Sequence, residues 1–369
     1  GGNFFMGKNI AVVFGGRSNE NEISVITGTM ACNVLKSGGD TVIPLYISDD
    51  NEFYCGDKLT EISAFKNDGF KKFPKAFVVK GGVYVLNKRG RVKKFLRIDV
   101  ALNCCHGGSG EGGGICGLFA LNSIPLASAG MFESAAFLDK YYTKLVLKPL
   151  GVKTCEYVYL RSPDEFSNAE TLGYPLIVKP ARLGSSIGIE CVENSGELKD
   201  AVETAFLYDD GVICEKYVSD RREINCAAYY SKGKVITSEC EEAVSAGEIL
   251  SFDDKYAGGG KSVLPADIPD PVSKKIKKIT SDVYSRLNMR GIVRFDFLLG
   301  GTTVYLSEIN TVPGSLSYYL LSGGFKEFYP VLQAVIVQAE EDFKTAGKKT
   351  VLKTGILNSI PEKGCKFNK

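Results

Sequence analysis

The sequence predicts an α/β protein that begins with a parallel-sheet domain and continues with two domains that mix helices and antiparallel strands. The first observation lies at the start of the chain. An apolar run at 9–14 ends in Gly15-Gly16-Arg17-Ser18, a helical pattern covers 24–36, and a strand-like run covers 41–47. This order of strand, glycine-rich turn, helix and strand is typical of the start of a parallel α/β domain. Ligands of such sheets bind outside the carboxyl ends of the strands, where this turn lies.

The second observation is a predicted β-hairpin late in the chain. Residues 291–299 and 304–314 are rich in β-branched and aromatic residues. Gly300-Gly301 between them is a turn signal, and the two runs together indicate paired strands. The hairpin belongs to a region without the glycine-turn-helix pattern of the start, which indicates a separate α+β domain.

The polar side chains of this hairpin predict a metal site. Arg294 and Asp296 share one face of the first strand, because side chains two residues apart point the same way. Glu308 and Asn310 likewise share a face of the partner strand. Buried carboxylates need a neutralising partner, and a few oxygen ligands suit a Mg²⁺ ion that also binds substrate phosphates. The alternative is a surface hairpin with its polar face in water; the run Asn-Thr-Val-Pro-Gly at its end favours the metal–nucleotide site.

The length of 369 residues is enough for two or three domains, each with its own core. We expect an N-terminal α/β domain at 1–128, a central domain at 129–217, a C-terminal domain at 218–345 and a poorly ordered tail at 346–369. The last domain contains predicted strands, a mobile loop and helices: strands at 225–230 and 235–240, the loop at 251–260, and helices near 272–287 and 329–341.

Composition excludes several classes of function. The 45 basic and 43 acidic side chains give a net charge of +2, so no global field attracts nucleic acid or an anionic membrane. No apolar run approaches the length of a membrane span. The eleven cysteines are scattered, odd in number and without a CxxC pair, which is typical of reduced thiols rather than a disulfide framework or a cysteine metal site. We therefore expect a cytoplasmic protein that binds small molecules.

A glycine-rich run, His106-Gly-Gly-Ser-Gly-Glu-Gly-Gly-Gly114, follows a predicted buried strand at 99–105 and precedes a predicted helix from Ile115. It is either a flexible linker or a loop whose backbone amides approach an anion closely, which glycine allows. Its position between a strand and a helix of one domain favours the anion loop. His106, the only histidine of the chain, begins this run.

The central segment has the features of a nucleotide clamp. Lys140 begins a predicted helix, and Lys179 lies on a predicted strand at 175–180. A loop of small residues at 182–188 and a strand at 211–217 follow. Lysines that face such a loop supply cations for phosphates beneath a mobile lid. No GxxxxGK[ST] run occurs, so the site is not a P-loop.

Taken together, these motifs resemble the D-alanine–D-alanine ligase family of the ATP-grasp superfamily over about residues 8–343. The motifs that carry the resemblance run in order through all three segments: Gly15-Gly-Arg-Ser-Asn-Glu-Asn-Glu-Ile-Ser24, His106-Gly-Gly-Ser-Gly-Glu111, Val178-Lys-Pro180 with Gly184-Ser-Ser-Ile-Gly188, Glu215-Lys216, Asp254-Lys-Tyr256, Arg294-Phe-Asp296 and Glu308-Ile-Asn-Thr-Val-Pro-Gly314. The resemblance implies a three-domain ATP-grasp fold whose two α+β domains clamp ATP. It also implies ligation of two D-alanines through a D-alanyl phosphate for peptidoglycan synthesis, a homodimer, and two Mg²⁺ ions, with Mn²⁺ as an alternative ion.

The resemblance also assigns roles to individual positions. The implied catalytic groups are Glu20, which holds the first ammonium, Ser185 and Tyr256, which link Glu20 to the closed loop, and Arg294 with the Gly314 amide, which stabilise the oxyanion. The implied nucleotide contacts are Lys140, Lys179, Ser186, Glu215, Lys216, Glu223 and Lys255. The implied metal ligands are Asp296, Glu308 and Asn310. The implied D-alanine contacts are His106, Ser315, Ser317, Tyr319 and Leu320.

The segment after the hairpin departs from the family pattern. In many relatives a Ser-Leu pair there binds the carboxylate of the second D-alanine, whereas this chain has Tyr319 and Leu320. We expect backbone amides near these residues, with the hydroxyl of Ser315 or Ser317, to bind that carboxylate instead. The bulk of Tyr319 predicts a small acceptor.

Two alternatives stay open. One is a ligase of the same chemistry that joins D-alanine to D-serine, to another amino acid or, less readily, to D-lactate. Ligases for D-lactate typically carry a histidine in the lid loop, where this chain has Tyr256. A cationic imidazole there would repel an ammonium acceptor, and a neutral phenol does not. The other alternative is a nucleotide-binding sensor without catalysis, which would not need Arg294.

Overall fold

The computed structural model describes residues 8–244, 261–349 and 351–360. Within these residues the chain forms three sheets, one after another along the sequence, with helices packed against them. The predicted α/β class is confirmed. None of the helices in the described ranges is long and apolar enough to cross a membrane.

The first sheet is built from the following strands: Asn9–Gly15 (β1), Thr41–Ile47 (β2), Phe53–Cys55 (β3), Lys75–Val79 (β4), Gly82–Leu86 (β5), Val92–Arg97 (β6), Val100–Asn103 (β7) and Leu126–Ala127 (β8). Their order is β6-β5-β4-β3-β2-β1-β7-β8, and β2, β1, β7 and β8 pair in parallel. Three helices belong to this part: Asn21–Ser37 (α1), Gly108–Glu111 (α2) and Gly114–Leu121 (α3). Val13 on β1 pairs with Asn103 on β7, so the turn after β1 and the glycine-rich run leave the sheet side by side. The run is not a continuous loop, because α2 forms one helical turn inside it.

The second sheet is antiparallel. Its strands are Tyr157–Leu160 (β9), Leu176–Pro180 (β10), Glu190–Val192 (β11) and Val212–Lys216 (β12), in the order β11-β10-β12-β9. The helices of this part are Met131–Leu138 (α4), Lys140–Leu147 (α5) and Ser195–Phe206 (α6). Leu176 and Val178 pack with α6 in one core, so the alternate side chains of β10, Ile177 and Lys179, point to the opposite face.

The third sheet contains the predicted hairpin. Its strands are Arg222–Ser231 (β13), Lys234–Thr237 (β14), Glu241–Val244 (β15), Lys261–Val263 (β16), Val293–Gly300 (β17) and Thr303–Asn310 (β18). The order is β16-β15-β13-β17-β18, with β14 paired to β13. The helices are Asp270–Arg286 (α7), Tyr318–Leu321 (α8) and Phe325–Gly347 (α9). Helix α9 extends beyond both predicted ends, and its buried side chains Phe328 and Leu332 join the core formed by α1 and the first sheet.

Candidate active site

The polar face of the hairpin carries the predicted metal ligands. Strands β17 and β18 pair so that Arg294 lies opposite Asn310 and Asp296 lies opposite Glu308. The Arg294 guanidinium donates to Asp296 twice, from Nε to Oδ1 at 2.7 Å and from a terminal nitrogen to Oδ2 at 2.8 Å. Asn310 Nδ2 also donates to Asp296 Oδ2, at 2.8 Å. The alternation of buried and half-buried residues along β17 agrees with the predicted shared face.

Two cavities meet at this face. The first, called here the Glu20 cavity, is lined among others by Glu20, His106, Lys140, Ser185, Arg294, Asn310 and Gly314. The second, called here the Lys179 cleft, is lined among others by Lys179, Ser186, Glu215, Lys216 and Glu223. Asp296 and Glu308 line both. A groove beside β5 and β6 is larger, but none of the predicted site residues lines it.

Lys140 joins the hairpin to the loop at 182–188. Its Nζ lies 3.4 Å from Glu308 Oε1 and donates to the Leu183 carbonyl at 2.6 Å. The preceding residue, Asp139, caps α5 by accepting hydrogen bonds from two backbone N–H groups of its first turn. This cap satisfies donors that have no partner within the helix and fixes the position from which Lys140 extends.

A buried ionic triad forms one wall of the Lys179 cleft. Glu215 Oε1 lies 2.6 Å from Lys144 Nζ, and Glu215 Oε2 lies 2.6 Å from Lys179 Nζ. Burial alone would raise the pKa of Glu215, but the two lysines lower it to about 2. Burial alone would lower the pKa of Lys179, yet attraction to Glu215 and Glu308 raises it above its usual value. Glu215 and Lys179 are therefore charged near neutral pH.

Glu20 lies where the first and second sheets' loops meet. Its carboxylate accepts a hydrogen bond from the Ser185 hydroxyl. A Cβ at Gly107 or at Gly184 would lie 2.9 Å from Glu20 Oε2, so both backbones approach the carboxylate more closely than another residue would allow. The loop at 182–188 is thus closed over Glu20.

A hydrogen-bonded chain, called here the Thr27 latch, holds the turn that follows the hairpin. Thr27 Oγ1 accepts from the Ser315 backbone N–H at 3.0 Å and lies 2.8 Å from His106 Nε2. While it accepts from Ser315, the Thr27 hydroxyl can also donate to Nε2, an arrangement in which the imidazole proton lies on Nδ1. Burial lowers the pKa of His106 to about 4, a hydrogen bond with the Val312 backbone opposes this shift, and Arg294 adds to it. His106 is therefore neutral at physiological pH.

Glu111 reinforces this latch from α2. It accepts from the backbone N–H of Gly107 at 2.8 Å and of Val312 at 3.3 Å. Burial raises the pKa of Glu111 to about 7, and the charge of Glu20 contributes to the rise. Two N-terminal side chains, Thr27 and Glu111, thus hold the backbone on either side of Gly314.

The turn itself has an unusual backbone. Ser315, Leu316 and Ser317 all have positive φ values, of 48°, 49° and 49°. Such a run is costly for residues other than glycine, and the surrounding structure must hold it in place. Ser317 and Leu320 are buried, and neither lines the Glu20 cavity. Tyr319 interacts through its side chain with Arg294, and burial raises the pKa of its phenol to about 12.

Of the remaining predicted site residues, one donates to backbone carbonyls and two lie outside the described residues. Lys216 Nζ donates to the carbonyls of Gly173 and Tyr174, at 2.8 Å and 3.4 Å. Lys255 and Tyr256 lie outside the described residues, as does the whole predicted loop at 251–260.

The comparisons with known proteins agree with this geometry. The profile described as D-ala D-ala ligase N-terminus matches residues 9–129, and the one described as D-ala D-ala ligase C-terminus matches residues 146–327. The chain belongs to the D-alanine–D-alanine ligase family. A D-alanine–D-alanine ligase of Thermosipho africanus is 36% identical over 355 residues, which are 92% of this chain and 95% of that protein.

Solved structures of the family extend the comparison to the fold. The Helicobacter pylori D-alanine–D-alanine ligase has a TM-score of 0.74 and 28% identity, over 89% of this chain and 98% of that one. The VanG D-Ala:D-Ser ligase of Enterococcus faecalis has a TM-score of 0.76 and 25% identity, over 90% of this chain and 100% of that one. The predicted three-domain ATP-grasp fold is thereby confirmed.

Members of this family use ATP and a divalent metal, and the hairpin face fits such an ion. Asp296 and Glu308 lie opposite each other, are half-exposed, and are balanced by Arg294 and Lys140. With the Asn310 amide they form an all-oxygen donor set, the kind that Mg²⁺ prefers. The described residues contain no group of three His, Cys, Asp or Glu side chains around one point, so substrate oxygens or water would complete the coordination.

Three residues of the site were missed by reasoning from the sequence. Lys144 is the fourth residue after Lys140 in a helix and therefore faces the same side, which is a signal that was present. Thr27 and Glu111 gave no comparable signal for their contacts with the turn, because Ser315 lies 288 residues from Thr27 and Val312 lies 201 residues from Glu111.

Proposed function

We propose that this chain uses ATP to join two D-alanines into D-alanyl-D-alanine through a D-alanyl phosphate, for peptidoglycan synthesis in the cytoplasm. The observation that carries the proposal is the position of Asp296 and Glu308 on the boundary between the Lys179 cleft and the Glu20 cavity. Phosphoryl transfer requires little more than two reactants in line and neutralised charge, which such a boundary provides.

In this proposal the nucleotide binds in the Lys179 cleft. Lys140 and Lys179 neutralise its phosphates, and Ser186 and Lys216 add contacts. Glu215 and Glu223 contact the adenine and ribose. Asp296, Glu308 and Asn310 hold two divalent ions, Mg²⁺ or Mn²⁺, which would supply further neutralisation of the phosphates.

The first D-alanine binds in the Glu20 cavity. Glu20 holds its ammonium, and its carboxylate oxygen attacks the terminal phosphorus, which releases ADP. Ser185 and the loop at 182–188 close over Glu20 and exclude water, because an acyl phosphate hydrolyses readily. Lys255 and Tyr256 complete the closure.

The second D-alanine attacks the acyl carbon with its amine, and phosphate leaves. Arg294 and the Gly314 amide stabilise the oxyanion of the tetrahedral intermediate. His106 borders this space, and Ser315, Ser317, Tyr319 and Leu320 shape the acceptor subsite. Because Ser317 and Leu320 are buried, their contribution is to the shape of the turn and its backbone amides.

The same proposal includes domain boundaries at residues 128, 217 and 345, a tail beyond residue 345, and a homodimer. The three sheets, which span residues 9–127, 157–216 and 222–310, support those boundaries. The homodimer is supported only by the family resemblance.

The test is phosphate release from ATP by the purified chain, with D-alanine, with L-alanine and without an amino acid. We expect release only with D-alanine, together with a dipeptide seen by mass spectrometry. Release that is independent of any amino acid, or that prefers L-alanine, would contradict the proposal. ATP binding without turnover in any condition would favour the sensor.

A second candidate has specific support: the same ligation with D-serine as acceptor. The similarity to the VanG D-Ala:D-Ser ligase of Enterococcus faecalis is the observation that favours it. Equimolar D-alanine, D-serine and D-lactate in one reaction separate the three acceptors by product mass. We expect D-alanyl-D-alanine to dominate, because the bulk of Tyr319 limits the space.

A further inference from the structure

The buried triad contains more positive than negative charge. Its side chains come from three elements, Lys144 on α5, Lys179 on β10 and Glu215 on β12, and their exposed fractions are 1%, 8% and 4%. Within the triad, one carboxylate balances only one of the two ammonium groups, and Lys179 is attracted in addition to Glu308, which lines the same cleft. The triad lies out of water, where removal of a charged partner is costly.

The two lysines occupy different positions relative to the Lys179 cleft. Lys179 and Glu215 line it, whereas Lys144 is buried and is not among its lining residues. The Lys144 ammonium also lies 5.2 Å from the centre of the Tyr157 ring, a favourable cation–π distance. Lys144 is therefore held in place, and Lys179 is the lysine of the triad that faces the cleft.

We infer that Lys144 is a fixed counter-ion for Glu215, which allows Lys179 to move from Glu215 to a nucleotide phosphate. When Lys179 turns to the phosphate, Glu215 keeps one cation at 2.6 Å and is not left as a bare buried carboxylate. Without Lys144, the only cation for Glu215 in the triad is Lys179, and phosphate binding must break that pair. Lys144 is thus a positioning residue that acts through Glu215. The inference rests on the proposed role of Lys179 as a phosphate contact.

The test compares the affinities of ATP and adenosine by calorimetry, since their ratio isolates the contribution of the phosphates. We expect Lys144→Met to lower this ratio by roughly 10- to 100-fold, as truncation of one partner in a buried charge pair typically does. Lys144→Arg, which keeps the charge, should stay within about threefold of the parent chain. In turnover, the KM for ATP should rise while the KM for D-alanine stays constant.

A double variant separates this effect from a loss of folding. Lys144→Met with Glu215→Gln leaves one lysine and no buried carboxylate, so Lys179 is again free to bind phosphate and the ATP-to-adenosine ratio should recover. No recovery would overturn the inference, as would an equal loss of ATP and adenosine affinity in Lys144→Met, which a merely structural residue would produce. An unchanged ratio in Lys179→Met would instead refute the phosphate role of Lys179 on which the inference rests.

Discussion

The Glu20 cavity and the Lys179 cleft bury ionisable side chains in opposite ways. On the N-terminal side, His106 and Glu111 form their hydrogen bonds with neutral groups, and burial moves the pKa of each toward its uncharged form, to about 4 and about 7. On the nucleotide side, Glu215 is equally buried, but two lysines hold its pKa at about 2. The partners, not the depth of burial, decide the charge.

The difference suits what each side is proposed to do. Neutral groups such as Thr27 and His106 form directional hydrogen bonds, which hold a strained turn in one geometry without a strong field near the reacting carbonyl. The charged triad provides a positive potential that attracts anionic phosphates. In the proposal its Lys179 ammonium can move from Glu215 to a phosphate.

The largest expected effect is on stability, from Glu215→Gln. The change leaves Lys144 and Lys179 buried without their shared counter-ion, and the free energy of unfolding should fall by about 3–5 kcal/mol. Urea unfolding followed by circular dichroism is suitable, because the chain has no tryptophan. The matched control is Glu111→Gln, which changes a carboxyl whose pKa of about 7 leaves it partly protonated near neutral pH. Equal losses in the two variants would remove the distinction between the two sides.

Arg294 lies between the two regions, in contact with Asp296 and Tyr319. Arg294→Lys keeps the charge and loses the planar fork, so kcat should fall about 10²–10³-fold, as for loss of an oxyanion donor. The KM for ATP should change little. Tyr319→Phe, which removes only the hydroxyl beside Arg294, should have a smaller effect of the same kind. A parallel loss of ATP affinity in Arg294→Lys would assign Arg294 to the phosphates.

Thr27→Val tests the neutral side. The Ser315 N–H loses its acceptor in a partly buried place, at a cost of about 1–3 kcal/mol, and the turn that contains Gly314 becomes less fixed. We expect kcat to fall about tenfold, which corresponds to about 1.4 kcal/mol, with an unchanged KM for ATP. Thr27→Ser keeps the hydroxyl and should behave like the parent chain. A raised KM for ATP with constant kcat would show that the latch serves the nucleotide side.

The last expected effect is on the pH dependence of stability. Between pH 4.5 and 6.5 the unfolded chain protonates His106 more than the folded chain does, so His106 makes stability rise with pH. Over the same range the folded chain keeps Glu111 more protonated than the unfolded chain does, so Glu111 makes stability fall with pH. The two slopes, each about 1.4 kcal/mol per pH unit, offset each other.

When one of the two groups is replaced, the pH dependence of stability that the other contributes is no longer offset. The stability of His106→Gln, relative to the parent chain, should fall from pH 4.5 to 6.5, and that of Glu111→Gln should rise. Urea unfolding at three pH values measures both. Since His106 is the only histidine, its imidazole resonance gives the pKa directly; a value near 6.5 would contradict a buried, neutral ring.

The sequence predicted what depends on local pattern. Alternation along 291–299 placed Arg294 and Asp296 on one face, and the order of strand, turn and helix identified the parallel sheet. The sequence did not predict the run of positive φ values at Ser315–Ser317. None of these residues is a glycine or an asparagine, the types that favour positive φ, and the Thr27 latch that holds them comes from distant residues. The partner of Lys144 was equally out of reach, since it depends on how α5 packs against β12.

The central claim is that the boundary at Asp296 and Glu308 activates a D-alanine carboxylate as an acyl phosphate shielded from water. The most direct measurement uses D-alanine labelled with ¹⁸O in both carboxylate oxygens. Attack by that carboxylate on ATP, followed by amine attack on the acyl carbon, leaves one labelled oxygen in each phosphate released. Mass spectrometry of the phosphate should therefore show one ¹⁸O per molecule formed, in equal amount to the dipeptide. Unlabelled phosphate would mean that water attacks ATP, and would contradict the account.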